Sequence, residues 1–129
     1  MRYLGVDYGR QRIGLALSDV GGRIAFPHSV IYARGNTFVF DQIMSVIKRE
    51  KVEAIVAGIP LGHDGSETEE SAHVRSFVQK LGAKTDVPIE FENEMFSSRM
   101  VEDAGVAQEH VDEASAALVL QSYLDKKNR

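Results

Sequence analysis

The sequence predicts an α/β protein built on a mixed, five-stranded sheet that is flanked by helices. Two strand-like runs, Arg2–Val6 and Arg12–Ser18, are joined by a short glycine-containing turn and indicate an antiparallel hairpin. A continuous apolar run at 52–59, with the sequence VEAIVAGI, is typical of a parallel strand that is buried on both faces. Segments with helical periodicity precede and follow this run, as expected where helices and parallel strands alternate.

The first half of the chain is predicted to form a three-stranded antiparallel meander followed by one helix. A turn at 19–22 leads into a third extended run, Arg23–Tyr32, in which Pro27 indicates an edge strand or a bend. Asn36 is the predicted N-cap of the helix that follows. The apolar positions that recur at helical spacing, and so form its predicted buried face, are Val39, Phe40, Ile43, Val46 and Ile47.

The second half is predicted to alternate helix and strand. Ser66 and Glu69 are in capping-box register at the start of a helix that Gly82 ends. A short strand is predicted at Val87–Phe91, followed by a short helix and by a final helix that starts at Asp112. Catalytic and binding sites of such sheets tend to form at the carboxyl ends of the parallel strands, so this edge is where we expect the functional residues.

Length and composition bound the class of protein. The 129 residues suit a single domain, 1–129, and the absence of cysteine excludes disulfides and thiolate metal sites. The formal net charge of −4 argues against a protein that coats nucleic acid by electrostatics alone, but it does not exclude a nuclease built from carboxylates. No apolar run approaches the roughly 20 residues that span a bilayer, and no signal-peptide pattern is present, so we expect a cytoplasmic protein.

Three acidic residues are candidates for one site: Asp7 after the first strand, Glu94 after the last strand, and Asp112 at the final helix. Carboxylate oxygens are the ligands that Mg²⁺ and Mn²⁺ prefer. Each residue also has a plain structural interpretation. Asp7 suits an Asx-type turn, Glu94 a solvated loop, and Asp112 a helix N-cap.

The whole chain resembles the YqgF or RuvX family of Holliday junction resolvase-like proteins and pre-16S rRNA nucleases. The segments that carry the resemblance, in order, are LGVDYGRQRIGLALSD, VAGIPLGHDGSETEESAHVRSFVQKL, the loop Asn93-Glu94-Met95 with Ser97 and Ser98, and VDEASAALVLQSYLD. Each segment alone is weak, but together they are specific and span nearly the whole chain. The resemblance implies a ribonuclease H-like fold, which agrees with the predicted order of strands and helices.

The resemblance further implies that Asp7, Glu94 and Asp112 are the catalytic carboxylates and metal ligands of a divalent-metal-dependent nuclease. It implies Mg²⁺ or Mn²⁺ as cofactor and nucleic acid as substrate, with trimming of the 5′ end of pre-16S rRNA as the associated task. Resolution of branched, Holliday junction-like DNA is the other expected activity, and the sequence leaves the choice between RNA and DNA open. Two departures stand in this sequence. The family's Asp-Glu-Arg appears as Asn93-Glu94-Met95, and a basic residue often found before the last Asp is absent from 109–111.

Four further residues are candidates for binding the substrate. Arg10 and Arg12, beside Asp7, suit charge-assisted hydrogen bonds to phosphate, although Arg12 also suits an ordinary polar strand position. Ser97 and Ser98 are candidate phosphate ligands, and they equally suit the cap of a short helix.

Two other functions compete with a nuclease. One is a non-catalytic nucleic-acid-binding or regulatory module of the same fold. The other takes Asp7, Gly9 and Gly14 as the phosphate loop of a sugar-kinase or actin-like ATPase lobe, although such enzymes need two lobes and the chain has length for only one.

Overall fold

The computed structural model describes residues 1–94, 101 and 103–129. The strands within these residues are β1 (Tyr3–Tyr8), β2 (Arg12–Ser18), β3 (Ala25–Tyr32), β4 (Ala54–Ile59) and β5 (Ile89–Asn93). The α-helices whose bounds fall within the described residues are α1 (Asn36–Glu50), α2 (Glu69–Gly82) and α3 (Val111–Lys127), the last preceded by a 3₁₀ turn at Gln108–His110. None of the described helices is long and apolar enough to cross a membrane.

The five strands form one mixed sheet with the order β3-β2-β1-β4-β5. The pairs β1/β2 and β2/β3 are antiparallel, whereas β1/β4 and β4/β5 are parallel. The predicted fold class is therefore confirmed. Since β1, β4 and β5 run in the same direction, their carboxyl ends meet at one edge of the sheet.

The sheet has a hydrophobic core on each face because side chains alternate along its strands. On one face Leu4 and Val6 of β1 pack with residues of α1 and α2, such as Ile43 and Leu81. On the other face the smaller core packs against α3. Its fully or nearly fully buried members are Tyr3, Ala16, Ala54, Val56, Ala116, Val119, Leu120 and Leu124.

Three structural predictions agree closely with the structure. All five apolar residues predicted for the buried face of α1 are buried. Every residue of β4 is buried between its two parallel neighbours. Pro27 lies in an edge strand, opposite Ala16, where the β2/β3 register shifts at an irregularity.

The first strand is longer than predicted. It continues through Asp7 and Tyr8, and Asp7 lies opposite Gly14 within the β1/β2 ladder. The interpretation of Asp7 as an Asx-turn residue is therefore wrong. Its side chain is presented from the rigid middle strand of the sheet instead.

The predicted capping box of α2 is displaced by two residues. Thr68 is the N-cap: its hydroxyl accepts a hydrogen bond from the backbone N–H of Ser71 (3.1 Å), while its own N–H donates to the Ser71 hydroxyl (2.6 Å). Ser66 instead lies in a turn in which its N–H donates to the carboxylate of Asp64 (3.0 Å). The capping box therefore joins Thr68 and Ser71 instead of the predicted Ser66 and Glu69.

Two other boundaries also differ. Gly35, with φ 101°, is the N-cap of α1, and Asn36 is the first helical residue rather than the cap. The last strand is two residues later than predicted because its ladder follows β4, from the pair Ile55/Ile89 to the pair Ile59/Asn93. The predicted short helix at Ser97 and Ser98 falls mainly outside the described residues.

Candidate active site

Asp7 and Glu94 meet at the carboxyl edge of the sheet. Glu94 directly follows β5, and its N–H donates to the carbonyl of Ile59 (3.1 Å), which holds it against the end of β4. A Cβ atom on Gly58 of β4 would lie only 2.8 Å from Oε2 of Glu94, so the glutamate lies directly over this glycine. Since β4 separates β5 from β1, the glutamate side chain reaches across Gly58 and forms a hydrogen bond with the Asp7 carboxyl.

A buried polar cluster fixes β5, the strand that presents Glu94. Glu92 is buried and accepts hydrogen bonds from the Ser122 hydroxyl (2.9 Å) and the Lys126 ammonium (2.6 Å) of α3. A buried carboxylate is stable only with such partners. These contacts tie β5 to α3 two residues before Glu94 and so fix where that residue leaves the sheet.

The Asp7/Glu94 pair retains a proton. Burial, together with the hydrogen bond and the negative charge of Asp7, raises the pKa of Glu94 to about 10. Burial also raises the pKa of Asp7, which the hydrogen bond from Glu94 partly offsets and the charge of Asp112 increases. The hydrogen bond between two carboxyl groups requires a proton on one of them, and at neutral pH Glu94 is the donor.

Asp112, on α3, lies on the β2 side of Asp7, whereas Glu94 lies on the β4 side. It lies in the first turn of the helix, whose N-cap is His110, so the interpretation of Asp112 as the N-cap is wrong. The Asp112 backbone lies directly on β2, where a Cβ on Gly14 would be 2.1 Å from the Asp112 carbonyl oxygen. Gly14 is the ladder partner of Asp7, so this contact brings Asp112 beside Asp7. The Asp112 carboxylate is paired with Nε of Arg12 at 2.8 Å.

Glycines set the distance between α3 and the sheet. A Cβ on Gly5 would lie 2.9 Å from Cβ of Leu120 and 3.0 Å from the carbonyl of Ala116, much as at Gly14. Sequence reasoning missed the packing roles of Gly14 and Gly58. The signal was available, because a glycine inside a strand often marks a site where another backbone or a ligand lies close.

The two predicted phosphate-binding arginines line one cavity with Asp112. An open cavity of about 350 Å³ is lined by Gly9, Arg10, Gln11, Arg12 and Asp112. Arg12 binds Asp112 there, whereas Arg10 reaches α2, where its Nη2 lies 3.3 Å from Glu70 and 2.5 Å from Nε2 of His73. The other two predicted substrate ligands, Ser97 and Ser98, lie outside the described residues.

The donor set suits a hard divalent cation. Three carboxylates supply oxygen ligands, and the proton shared by Asp7 and Glu94 marks a place where negative charge lacks a counter-ion. Within the described residues, no three acidic or imidazole side chains are already arranged around one metal position. Asp112 would have to leave Arg12 to join the other two, which a side-chain rotation could accomplish because the pair is partly exposed.

Comparison with known proteins decides the family. The family model RuvX, described as Holliday junction resolvase, matches residues 1–126. The chain belongs to the RuvX family. The family resemblance read from the sequence is thereby confirmed.

Curated relatives of this RuvX-family chain share its length as well as its sequence. A protein of Nitratidesulfovibrio vulgaris (strain Miyazaki F) is 39% identical over 97% of the chain and 94% of the relative. One of Anaplasma marginale is 43% identical over 96% of the chain and 84% of the relative. Both carry the name "Putative pre-16S rRNA nuclease".

Among solved structures, Thermus thermophilus RuvC in complex with a Holliday junction substrate superposes with a TM-score of 0.66 at 17% identity, covering 99% of this chain and 96% of RuvC. At this identity the likeness establishes the fold. It confirms the predicted ribonuclease H-like architecture of this RuvX-family chain.

Proposed function

We propose that this protein is a divalent-metal-dependent nuclease that hydrolyses phosphodiester bonds with Asp7, Glu94 and Asp112 as its catalytic carboxylates. The observation that carries the proposal is the pair of carboxyl groups, Asp7 and Glu94, that share a proton at the carboxyl edge of the sheet, with Asp112 beside them. A cluster of like charges is costly unless protons or cations compensate it. Its assembly from β1, β5 and α3 indicates a cation-binding role.

The three carboxylates would hold the cation, Mg²⁺ or Mn²⁺. When bound there, the ions supply activation of the attacking water and stabilisation of the leaving oxygen. To serve as ligands, Asp7 and Glu94 would have to give up the proton that they share, because a carboxylate ligand must be deprotonated. Asp112 would have to leave Arg12.

The arginines supply the substrate contacts in this proposal. Arg12 lies within ion-pairing distance of Asp112, so a guanidinium released from that aspartate is next to the place where a phosphate would be cleaved. Arg10 lines the same cavity. Guanidinium groups bind phosphate oxygens through paired, charge-assisted hydrogen bonds.

The names of the relatives support a substrate class. The curated relatives are named for pre-16S rRNA, and RuvC was solved with a Holliday junction. We therefore propose processing of the 5′ end of pre-16S rRNA, or cleavage of branched DNA, as the activity of this chain. Sequence reasoning left the choice between RNA and DNA open, and the test below includes both.

Purified protein is incubated with Mg²⁺ or with Mn²⁺ and with a pre-16S rRNA 5′ leader, a four-way DNA junction and single strands of both kinds. We expect cleavage that depends on the ion, and we expect Asp7→Asn to lose it while its thermal unfolding stays cooperative. Asp86→Asn is the matched control, because Asp86 is exposed and lies before β5, at the opposite end of that strand from Glu94.

Two results would overturn the proposal. One is an Asp7→Asn protein that cuts as fast as the parent. The other is tight binding of RNA or DNA without ion-dependent cleavage of any substrate in the panel, which would favour the non-catalytic nucleic-acid-binding module instead.

A further inference from the structure

A second basic surface lies at the edge of the sheet, in a groove between the edge strand β3 and helix α1. The groove has a volume of about 340 Å³. Its lining contains Leu15, His28, Ser29, Val30, Ile31, Tyr32, Arg34, Phe38, Gln42, Val46 and Arg49. No described residue that lines it is acidic, although the chain as a whole carries a net charge of −4. Its charge is therefore opposite to that of the whole molecule.

The groove pairs cations with aromatic rings. The Arg34 guanidinium lies over the ring of Phe38, 5.5 Å from its centroid, and Tyr32 is 61% exposed. Arg49 is 60% exposed in the last turn of α1, and its nearest carboxylate, Glu50, is 3.9 Å away, so its charge is only weakly compensated. Single-strand binding surfaces combine two components. Arginines contact the phosphate backbone of the strand, and aromatic or guanidinium planes stack on its bases.

The groove approaches the candidate active site around the edge strand β3. Side chains alternate along β3, so Ile31 packs into the core with α1 while Tyr32 lies on the other face of the sheet, the one that carries Arg12. Tyr32 is the ladder partner of Arg12, and Arg12 binds Asp112. The next residue, Ala33, donates its N–H to the carbonyl of Gln11 (2.9 Å), which fixes the start of the β3/α1 loop against the β1/β2 turn. Directly opposite residues of neighbouring strands have Cβ atoms about 5 Å apart, so Tyr32 lies one strand spacing from the cavity that contains Asp112.

We propose that the groove between β3 and α1 binds a single-stranded segment of the nucleic-acid substrate that leads away from the cleaved phosphodiester, with Tyr32 stacking on a base and Arg34 and Arg49 contacting phosphates. The inference rests on the proposed nuclease function, because the bound segment is taken to be the part of the substrate that continues from the cleaved phosphodiester. A single strand is required because a base must be unpaired to stack on a side chain.

The test measures binding in EDTA, where no cleavage occurs, by fluorescence anisotropy. The probes are labelled single strands of DNA and of RNA and a fully paired duplex of the same length. Arg34→Gln/Arg49→Gln should lower the slope of log affinity against log salt by about 1.4 for single strands, since each lost phosphate contact contributes about 0.7. Tyr32→Ala should weaken single-strand binding by about tenfold, the loss expected for one stacked base.

Charge and fold are controlled separately. Arg23→Gln/Lys80→Gln removes the same charge from exposed positions outside the groove and should leave the salt slope near that of the parent. Thermal unfolding of each variant checks that it folds. Whichever of DNA and RNA binds more tightly identifies the chemistry of the strand, and either supports the proposal.

The outcomes separate the two proposals. The groove proposal would be overturned if the groove variants bound single strands as tightly as the parent. It would also be overturned if the control variants lost as much single-strand affinity as the groove variants. Loss of single-strand binding in the groove variants would support it even if the parent cleaved nothing, and in that case only the nuclease function would fail.

Discussion

The position of Asp112 depends on a glycine, and this makes Gly14→Ala the most informative single substitution. A Cβ at position 14 would lie 2.1 Å from the Asp112 carbonyl oxygen, whereas ordinary contacts begin at about 3.4 Å. Gly14 is paired on both sides, with Asp7 in β1 and Val30 in β3, so the strand has little freedom to withdraw. The start of α3 must therefore move outward by about 1.3 Å.

The size of the effect follows from this displacement. Inserting a methyl group where the backbone cannot yield costs about 1–3 kcal/mol of unfolding free energy. A displacement of about 1 Å in a catalytic residue can cost on the order of a hundredfold in rate. We therefore expect Gly14→Ala to weaken divalent-ion binding and to lose most of the cleavage activity while it still folds.

The assays are denaturant unfolding, calorimetric titration with Mn²⁺, and cleavage of the most sensitive substrate in the panel. The matched control is Gly82→Ala at the end of α2, where the added Cβ would approach nothing closer than Ile89 Cδ1 at 3.9 Å. That substitution should be neutral or should stabilise by about 0.4–1 kcal/mol. Reasoning from the contact at Gly14 would be refuted if Gly14→Ala matched the parent in stability and in Mn²⁺ affinity.

The remaining predictions concern charge. Because the folded pKa of Glu94 is raised to about 10, its contribution to stability is complete below the unfolded pKa and is lost as the pH rises toward 10. Between pH 5 and pH 8 in EDTA, the unfolding free energy of the parent should therefore fall by on the order of 3 kcal/mol more than that of Glu94→Gln. Denaturant unfolding at both pH values measures this difference. Equal losses in the two proteins would contradict the shared proton. Arg12→Gln frees Asp112, so calorimetry should show about twofold to fivefold tighter Mn²⁺ binding. The slope of log affinity for nucleic acid against log salt should fall by about 1. Arg75→Gln, which removes an arginine paired with Glu67, is the control and should change neither quantity.

The sequence predicts the elements of this fold well because their signals are local. Arg12–Ser18 and β4 are buried along almost their whole length, and runs of apolar and small residues of this kind can be recognised as strands from the sequence alone. Cap positions are less predictable. Ser66 and Thr68 are both good caps, and the turn that Asp64 makes with Ser66 decides between them.

The site is predictable only in part. Carboxylates at the ends of strands indicate a common edge, but nothing near Glu94 in the sequence shows that its side chain crosses Gly58 to reach Asp7. The pairing of Arg12 with Asp112 joins residues 100 positions apart and depends on how closely α3 packs on the sheet. The family resemblance predicts that these carboxylates lie close together, and the tertiary packing explains how they come to do so.

The central claim is that folding gathers Asp7, Glu94 and Asp112 into a site for divalent cations. The most direct measurement is anomalous diffraction from crystals grown with Mn²⁺ at the concentration that supports cleavage. The account predicts a manganese peak within coordination distance of carboxylate oxygens from all three residues, with Arg12 no longer bound to Asp112. Manganese bound elsewhere on the molecule, with Asp7 and Glu94 still hydrogen-bonded to each other, would contradict it.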